Sequence, residues 1–494
     1  MPTLFDLPHS RWRWTYALIC SALISADIGY LAHHLPLSRP NDDLWQHLAA
    51  IQALIDNPLH PSNPFLMSDQ PSRLFGPLWV AAALVCRAFQ LSAQTGFVIG
   101  AALGIASLMA GAWLLGTVRA NGPAGAFALL GTMLGGWLTP PYFTGYHNIL
   151  TLLASGGYPA IVSVGASLML WGLSLRWVRN MERSRQLRVA ILATVALGFA
   201  THPLGMAVGI AGGILVAAVE PDCDCAGRVS LMLLIGAGVL LAAAWPWFNP
   251  LQVAGSASST EWEVGIDFYN PWWIAATLFP AVIGFAGLLD RPSRPFLILL
   301  LLCLGGYTLG ITTRFVAGHR LLPWCALILH IGLASLVLRW LRSTRRPAIV
   351  AQAFMLGVVV VQTVYVNQRL GEYDRSFRRD GSLLAAARAL TAKTAGRFAG
   401  YPTAAFPIAA LGIRPLVTPF AEPLVPDMRD RQRRSDKLFD PSLSRPARLE
   451  AARREGVRYL MIDRRFISQS LRRRLEGQAF AVHISGSLER IDLY

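Results

Sequence analysis

Long runs of apolar residues, broken by short polar or basic stretches, fill most of the chain before residue 367. A helix needs about 20 residues to cross the roughly 30 Å of hydrocarbon in a bilayer, and the runs approach that length. We therefore expect an α-helical polytopic membrane protein. The pattern predicts eleven crossing helices, at residues 14–35, 95–118, 123–139, 158–175, 188–201, 203–219, 228–247, 272–289, 296–312, 321–341 and 347–366.

Arginines concentrate in some of the short connections between these helices. The segment 176–188 contains five of them and 339–346 contains four, with weaker clusters at 11–13, Arg119 and 291–294. Lys and Arg beside transmembrane ends remain on the cytoplasmic side of the membrane. Eleven crossings around these segments predict a cytoplasmic N-terminus and an extracytoplasmic tail.

The segment 75–91 is apolar, but it contains Gly76, Pro77 and Arg87 and is barely long enough to span. Counting it as a crossing helix would place the arginine-rich connections outside. We therefore predict a helix that lies in, or dips into, the outer interface. The predicted outer loops are 36–74, 139–158, 248–272 and 313–320.

The tail after residue 366 differs in character, because it contains 24 Lys and Arg against 14 Asp and Glu. It alternates helix-like stretches with strand-like ones, which predicts a small α/β domain. The helix-like stretches are 383–394 and 445–455, and the strand-like ones are 397–401 and 457–463. We therefore divide the chain into a transmembrane module at 1–366, whose outer loop 36–74 contains interfacial helices, and a soluble extracytoplasmic domain at 367–494.

Composition agrees with this division, because 54% of the 494 residues are hydrophobic, 15% are charged and the mean hydropathy is +0.43. Such a chain has more apolar surface than a soluble core can bury. The net charge of +16 fits a surface near anionic lipid head groups. No nucleic-acid motif accompanies the charge, so we expect no nucleic-acid partner, and the six cysteines predict no metal site.

The first outer loop carries the most informative polar sequence, Asn41-Asp42-Asp43-Leu44-Trp45-Gln46-His47-Leu48. The residues that follow have helical spacing of apolar positions, so Asn41 or Asp42 can cap the helix, and one explanation of an aspartate here is that it is only a cap. Adjacent carboxylates repel each other, so one can have a raised pKa and act as a general base while the other positions a partner. Such a pair suits activation of a hydroxyl. We expect no cofactor, although a divalent cation at Asp42 and Asp43 is an open alternative.

This combination resembles the GT-C class of membrane glycosyltransferases, which includes protein O-mannosyltransferases and lipid A aminoarabinose transferases. The resemblance rests on the order of the elements: a first helix, a long outer loop that opens with an acidic pair, a helical module and an α/β tail. It implies that Asp42 is the catalytic base, that Asp43 supports it, and that Trp45 stands near a family aromatic residue. The tail segments 417–427 and 456–463 look like those of bacterial members, which implies the bacterial inner membrane.

The resemblance also implies a polyprenyl-phosphate-linked sugar as donor, whose phosphate needs cations at the outer helix ends. Arg314, His319 and Arg320 form a compact set in the loop 313–320, where an arginine fork would bind phosphate oxygens. Outward arginines go against the positive-inside bias and so favour this role, while contact with lipid head groups is the alternative. His202, at the tip of the predicted hairpin, and Arg73 would assist.

Two features depart from the aminoarabinose transferases. They have Lys-Gly at the hairpin tip, where this chain has His202-Pro203, and they have a second acidic residue in a later outer loop, whereas 139–158 contains none. The acid here would come instead from Glu261, Glu263 or Asp267, in the outer loop 248–272. Further candidates for acceptor or sugar contacts are Trp45, His47, Tyr146, Glu261, Glu263 and Asp267.

The sequence thus predicts an inverting hexosyl- or pentosyltransferase that acts at the extracytoplasmic face on a glycan, lipid or protein acceptor. A transporter or flippase of a lipid-linked glycan is the main alternative. It is disfavoured because, apart from Asp27, the predicted spans are nearly free of charge. A surface-polysaccharide polymerase or ligase, and a catalytically inactive scaffold, also stay open.

Overall fold

The computed structural model describes residues 9–34, 43–66, 70–138, 146–179, 183–221, 223–255, 272, 278–313, 315–341, 343, 364–365, 368, 383–392, 396–418, 422 and 424–494. The chain divides by its contacts into two compact units. Unit 1 is Met1–Gly29 with Ala101–Gly371, and unit 2 is Tyr30–Gly100 with Glu372–Tyr494. The contacts thus group the first outer loop with the tail, and the predicted boundary at residue 366 stays a prediction.

Helices make up most of the described chain. In chain order they are α1 His9–His34, α2 Leu44–Asp56, α3 Pro77–Ala88, α4 Ala93–Ala120, α5 Ala124–Gly135, α6 Ile149–Ser155, α7 Pro159–Val178, α8 Arg185–Thr201, α9 Pro203–Val219, α10 Cys225–Ala243, α11 Pro250–Gly255, α12 Phe279–Val282, α13 Phe285–Leu288, α14 Arg294–Thr313, α15 Val316–His319, α16 Leu322–Leu341, α17 Leu383–Thr391, α18 Pro402–Ala409, α19 Met428–Leu438, α20 Arg445–Arg454 and α21 Gln469–Glu476. The strands are β1 Arg397–Gly400, β2 Val457–Asp463, β3 Ala481–Ser485 and β4 Leu488–Asp492.

Six helical stretches are long and apolar enough to cross a membrane. They are Arg11–His33, Ala93–Ala120, Pro159–Val178, Cys225–Ala243, Arg291–Thr313 and Ala317–Leu341. Four shorter apolar helices accompany them: Pro77–Ala88, Ala124–Gly135, Pro203–Val219 and Phe279–Leu288. These findings confirm a mostly helical membrane protein. The count of eleven crossings stays a prediction, since 347–366 lies outside the described residues except for 364–365.

Two predicted crossings are shorter in the structure than in the sequence pattern. Among the described residues, the segment 123–139 forms a helix only over α5, which ends at Gly135. At the next residue, Gly136, an added Cβ would be 2.8 Å from the His330 ring. In the segment 272–289, the described residues from 278 onward form two short helices, α12 and α13. Between them, Gly284 packs so closely on α16 that a Cβ would be 2.1 Å from the Leu329 carbonyl oxygen.

Glycine and serine let the helices of unit 1 approach one another closely. At Gly165 of α7, an added Cβ would be 2.5 Å from the backbone of Ser107 in α4. The Trp171 Nε1–H group donates a 2.8 Å hydrogen bond to the Gly209 carbonyl, which joins α7 to α9. Small residues are typical of helix contacts in membranes, because association there depends on close packing.

The predicted hairpin at Thr201-His202-Pro203 is present. α8 ends at Thr201 and α9 begins at Pro203, whose missing N–H group is no loss at the first helical position. His202 caps α9, since its Nδ1 accepts a 3.0 Å hydrogen bond from the Gly205 N–H group.

The tail folds around a four-stranded sheet with the order β1-β2-β4-β3. β1 and β2 are parallel, and β4 is antiparallel to both β2 and β3. β1 and β2 lie in the two strand-like stretches that the sequence predicts, while β3 and β4 are additional. Leu438, Leu460 and Ile491 belong to the buried core on which the surrounding helices pack.

The first outer loop belongs to the same unit as this sheet and makes direct contacts with the tail. Leu66 forms an antiparallel bridge with Val417, and the Thr418 N–H group donates a 2.9 Å hydrogen bond to the Phe65 carbonyl. α3, in the segment 75–91, has 12 residues and is therefore about 18 Å long, which is shorter than the hydrocarbon core.

Candidate functional site

The acidic pair lies at the start of α2 in unit 2, where Asp43 is described and Asp42 lies outside the described residues. Asp43 is exposed and makes no side-chain cap hydrogen bond. Its backbone carbonyl instead accepts from the Gln46 and His47 N–H groups, and its Oδ1 accepts a 3.2 Å hydrogen bond from Gln46 Nε2. The carboxylate of Asp43 is therefore not used as a helix cap. Asn41 and Asp42, the residues expected to cap α2, lie outside the described residues, so a capping role for Asp42 stays an open alternative.

The buried face of α2 contains two predicted contact residues, Trp45 and His47. Trp45 has no exposed surface, and His47 is only 6% exposed. The His47 ring lies 5.2 Å from the Trp79 ring and 6.2 Å from the Phe97 ring, measured between centroids. In this structure both residues pack α2 into unit 2, whereas Asp43 faces outward at its end.

Arg73 lies beside an acid that the sequence analysis did not select. Glu422 is buried, and its carboxylate accepts a 2.8 Å hydrogen bond from Ser72 Oγ and weaker ones, at 3.3 Å, from the Arg73 backbone N–H. Burial raises the pKa of Glu422, while the charge of Arg73 and the hydrogen bonds oppose that rise. The only signal in the sequence was an acid in the tail segment 417–427, which does not by itself indicate burial.

A cavity of about 310 Å³ lies on α2 within unit 2. Leu48 and Gln52 line it from α2, one or more helical turns beyond Asp43. Polar residues on the other walls include Ser92, Gln94, Arg388 and Thr391. The cavity therefore combines an apolar floor with hydrogen-bonding groups, as ligand sites commonly do.

Unit 1 contains a separate cluster of aromatic and histidine side chains. Tyr146 is fully buried and packs edge-on against Trp137, with ring centroids 5.9 Å apart. Trp137 also lies 5.0 Å from the ring of His330 in α16, and the buried His147 is near enough to interact electrostatically with His330. Both ring nitrogens of His330 are buried and have no hydrogen-bond partner among the described residues.

His319 and Arg320 follow α14 on the short helix α15 and the turn after it. His319 is buried, with its ring 6.0 Å from that of Tyr307, and Arg320 is half-buried. Tyr307 shares a hydrophobic cluster with Trp137 and Tyr146, so His319 lies next to the aromatic cluster. Arg314, the other cation predicted to bind phosphate there, lies outside the described residues.

The remaining acids to be located are three predicted contact residues and Asp27. Glu261, Glu263 and Asp267 lie outside the described residues. Asp27 of α1 is 1% exposed, and neither carboxylate oxygen has a partner in the described part of the chain. It lies at the end of α6, where a Cβ on Gly156 would be 3.0 Å from Asp27 Oδ2. No group of three or more His, Cys, Asp or Glu residues comes together among the residues that the structure describes.

No family model matches the chain, and no curated protein matches it. Solved structures do. The mycobacterial arabinofuranosyltransferase AftD matches with a TM-score of 0.61 and 17% identity, over 97% of this chain and 40% of that one. The oligosaccharyltransferase of Archaeoglobus fulgidus, solved in complex with Zn and sulfate, matches with a TM-score of 0.54 and 12% identity, over 90% of this chain and 68% of that one.

The chain has the GT-C fold. Both similar structures are membrane glycosyltransferases of the GT-C type. The chain spans about 40% of the length of AftD, so the similarity concerns one part of that larger protein. Within this GT-C fold, the described site residues fall into two groups, with Asp43, Arg73 and the α2 cavity in unit 2 and the aromatic-histidine cluster in unit 1.

Proposed function

We propose that this protein is a membrane glycosyltransferase that moves a sugar from a polyprenyl-phosphate donor to an acceptor hydroxyl at the extracytoplasmic face. The observation that carries the proposal is the GT-C fold, which extends over 97% of the chain in the match to AftD. The exposed carboxylate of Asp43, which opens α2 without serving as its cap, adds chemical support.

The proposed reaction is a single displacement. One carboxylate of the Asp42-Asp43 pair, by resemblance that of Asp42, takes the proton of the acceptor hydroxyl, whose oxygen attacks the anomeric carbon of the sugar. The bond between that carbon and the phosphate oxygen breaks, and polyprenyl phosphate leaves with the electron pair. Displacement without a covalent intermediate inverts the anomeric configuration. Asp43 supports Asp42 by orienting it or the acceptor.

Cations would stabilise the negative charge on the leaving phosphate. Arg320 and His319 are the proposed candidates in the loop 313–320, together with the adjacent Arg314, which lies outside the described residues. His202 and Arg73 would assist them. The burial of His319 next to Tyr307 supports a role inside the protein rather than on lipid head groups. Tyr146 belongs to the same aromatic surroundings and is the proposed sugar contact.

The acceptor would bind along α2, where the cavity lined by Leu48 and Gln52 offers space one or more helical turns beyond Asp43. Glu261, Glu263 and Asp267 stay candidates for the second acidic role. A divalent cation at Asp42 and Asp43 is an open alternative, and the similar archaeal structure contains Zn and sulfate. A transferase assay with EDTA, followed by readdition of Zn²⁺, Mn²⁺ or Mg²⁺, decides between the two forms of the proposal.

The decisive test is an assay of the purified full-length protein with radiolabelled polyprenyl-phosphate sugars. We expect Asp42→Asn to abolish transfer and Asp43→Asn to reduce it strongly. Asp56→Asn is the matched control, since Asp56 is exposed at the other end of α2 and its carboxylate accepts a 2.8 Å hydrogen bond from Gln52 Nε2 of the same helix. Full activity in both Asp42 and Asp43 variants would remove the proposed base.

A transporter of a lipid-linked glycan is the second candidate. The specific observation in its favour is that Asp27 and His330 are ionisable residues buried in long apolar helices, as in many transport proteins. Movement of a fluorescent lipid-linked glycan across proteoliposomes without formation of a glycosidic bond would support transport and contradict the transferase proposal.

We place the protein in a bacterial inner membrane with the N-terminus in the cytoplasm and the tail outside. Alkaline phosphatase and green fluorescent protein fusions test this orientation. Fusions at Arg119 and Arg179 should report the cytoplasm, and fusions in the tail should report the outer side. An external signal at either arginine overturns the orientation.

A further inference from the structure

Several helix ends of unit 1 meet around a cavity of about 180 Å³. Arg119 lines it from the last turn of α4, and Arg179 lines it from the end of α7. The remaining polar walls are Asp290, Ser293, Ser335 and Arg339, which stand at the start of α14 and the end of α16. Three of the six polar side chains around this cavity are therefore guanidinium groups.

Arg119 differs from the other two arginines, because its hydrogen bonds and its ring contact are all with uncharged groups, and Arg179, Asp290 and Glu220 act on it only through their charge. Its Nη2 donates hydrogen bonds of 2.9 Å to Ser293 Oγ and to Ser335 Oγ. Its guanidinium carbon lies 4.8 Å from the centroid of the Phe296 ring. Its Nη1 is buried and has no hydrogen-bond partner in the described part of the chain. Burying a guanidinium that has no ion pair of its own costs free energy of desolvation, and a bound anion would offset that cost.

The described acids around the cavity are already in ion pairs. Glu220 pairs with Arg179 at 2.9 Å between Oε1 and Nε, and Asp290 pairs with Arg339 at 2.6 Å between Oδ2 and Nη1. Both acids also attract Arg119, but among the described residues the three arginines face only these two acids, so one positive charge is left over. Ser293, which is buried, accepts from Arg119 and still has its own hydroxyl hydrogen to donate. The cavity thus offers an excess of one positive charge and further hydrogen-bond donors.

We propose that this cavity binds a phosphate group through Arg119, with Ser293 as a second donor and the guanidinium groups of Arg179 and Arg339 nearby. A phosphate provides the negative charge that the site lacks and several acceptor oxygens for the arginine fork. The group would come either from a phosphodiester lipid headgroup or from a soluble phosphate. The site is independent of the transferase proposal, because it lies at the helix ends that the arginine pattern assigns to the cytoplasm.

The test uses the delipidated full-length protein in detergent and follows thermal unfolding. Inorganic phosphate is titrated against chloride at equal ionic strength, and phosphatidylglycerol is titrated in mixed micelles, with its retention followed by native mass spectrometry. We expect a saturable rise of the unfolding midpoint in at least one arm. Stabilisation by phosphate alone identifies a soluble ligand, and stabilisation by phosphatidylglycerol alone identifies a lipid headgroup.

Arg119→Gln should raise the ligand concentration that gives half of the maximal stabilisation at least tenfold. Arg188→Gln is the control, since it removes the same charge from an exposed position of α8. If Arg119→Gln does not fold, Ser293→Ala keeps the guanidinium and should still weaken binding. The proposal is overturned if the wild type shows no saturable response. It is also overturned if the response of Arg119→Gln equals that of the wild type or, where Arg119→Gln does not fold, if the response of Ser293→Ala does.

Discussion

Ser72 and Glu422 are joined by a hydrogen bond of 2.8 Å from Oγ to Oε2, although 350 residues separate them in the chain. The hydroxyl belongs to the first outer loop and the carboxylate to the tail, and both are buried. Together with the bridge between Leu66 and Val417, this bond makes the loop that begins with the acidic pair part of the same folded unit as the C-terminal sheet.

Glu422 should make the stability of unit 2 depend on pH. Burial raises its pKa in the folded state, so the folded protein retains the proton at pH values where the unfolded chain has lost it. Its contribution to the free energy of unfolding is therefore full below the ordinary glutamate pKa of about 4.3 and is lost as pH rises through the folded-state pKa.

Unfolding midpoints of the full-length protein, measured at a series of pH values, check this dependence. Glu422→Gln keeps the shape of the side chain without the titration, so the fall in midpoint above about pH 4.3 should become shallower. An equally steep fall in wild type and variant would show that another group is responsible.

Gly165 should tolerate no side chain. A Cβ there would be 2.5 Å from the backbone of Ser107, so Gly165→Ala must separate α4 from α7 or distort one of them. Such overpacking costs about 1 to 3 kcal/mol. Gly131→Ala is the control on α5, where a Cβ meets nothing within 4 Å and the better helix propensity should stabilise slightly. Midpoints from cysteine-reactivity unfolding in detergent compare the two, and equal values would contradict the proposed contact.

Arg448 should be the most sensitive arginine of the tail. Its side chain is buried and donates to the carbonyls of Leu438 and Asp440, at 3.0 and 2.6 Å, and to Gln478. Arg448→Ala leaves those acceptors unsatisfied, at a cost of about 3 kcal/mol. Arg454→Ala, which removes an exposed pair with Glu450, should cost about 0.5 kcal/mol or less.

Hydrogen exchange of the backbone amides in 428–494 measures this difference directly. We expect Arg448→Ala to lower protection across the core strands β2 and β4, and Arg454→Ala to leave it nearly unchanged. Similar protection in the two variants would mean that Arg448 contributes no more than a surface residue.

His202 has a structural role that can be separated from the proposed contact with phosphate. Its Nδ1 caps α9, so His202→Ala should lower stability by about 1 kcal/mol. Asparagine is also a good cap, and His202→Asn should restore the stability without restoring a cation. Unfolding midpoints and transferase rates measured on both variants separate the two roles. A stable His202→Asn variant with full transferase activity would remove His202 from the phosphate-binding set.

Local patterns in the sequence predicted the parts of the fold that local physics determines. The helix break at Pro203 follows from the missing N–H group of proline. The strands β1 and β2 follow from short runs that contain β-branched and aromatic residues. β3 and β4 escaped prediction because β3 is mostly exposed and β4 contains Glu489 and Arg490, whose burial depends on partners elsewhere in the tail.

The site was predicted less completely for the same reason. Asp43 stays a predicted site residue, which the sequence indicates because two adjacent acids at the start of an amphipathic helix are unusual. A lone histidine in an apolar run, such as His330, or a single acid in a polar segment, such as Glu422, gives no signal until the fold brings its neighbours together. The surroundings of such residues are made by residues that are far from them in the sequence.

The separation of 350 residues between Ser72 and Glu422 also sets the delay between the synthesis of one and the synthesis of the other. Ribosomes add about 5 to 20 residues per second, so roughly 20 to 70 s pass between synthesis of the hydroxyl and synthesis of its carboxylate partner. Throughout that interval the first outer loop is already made but lacks the tail on which it packs. In a growing chain this loop therefore lacks the contacts that bury Ser72 and pair Leu66 with Val417, and a truncation in the tail would destabilise the loop near the start of the chain.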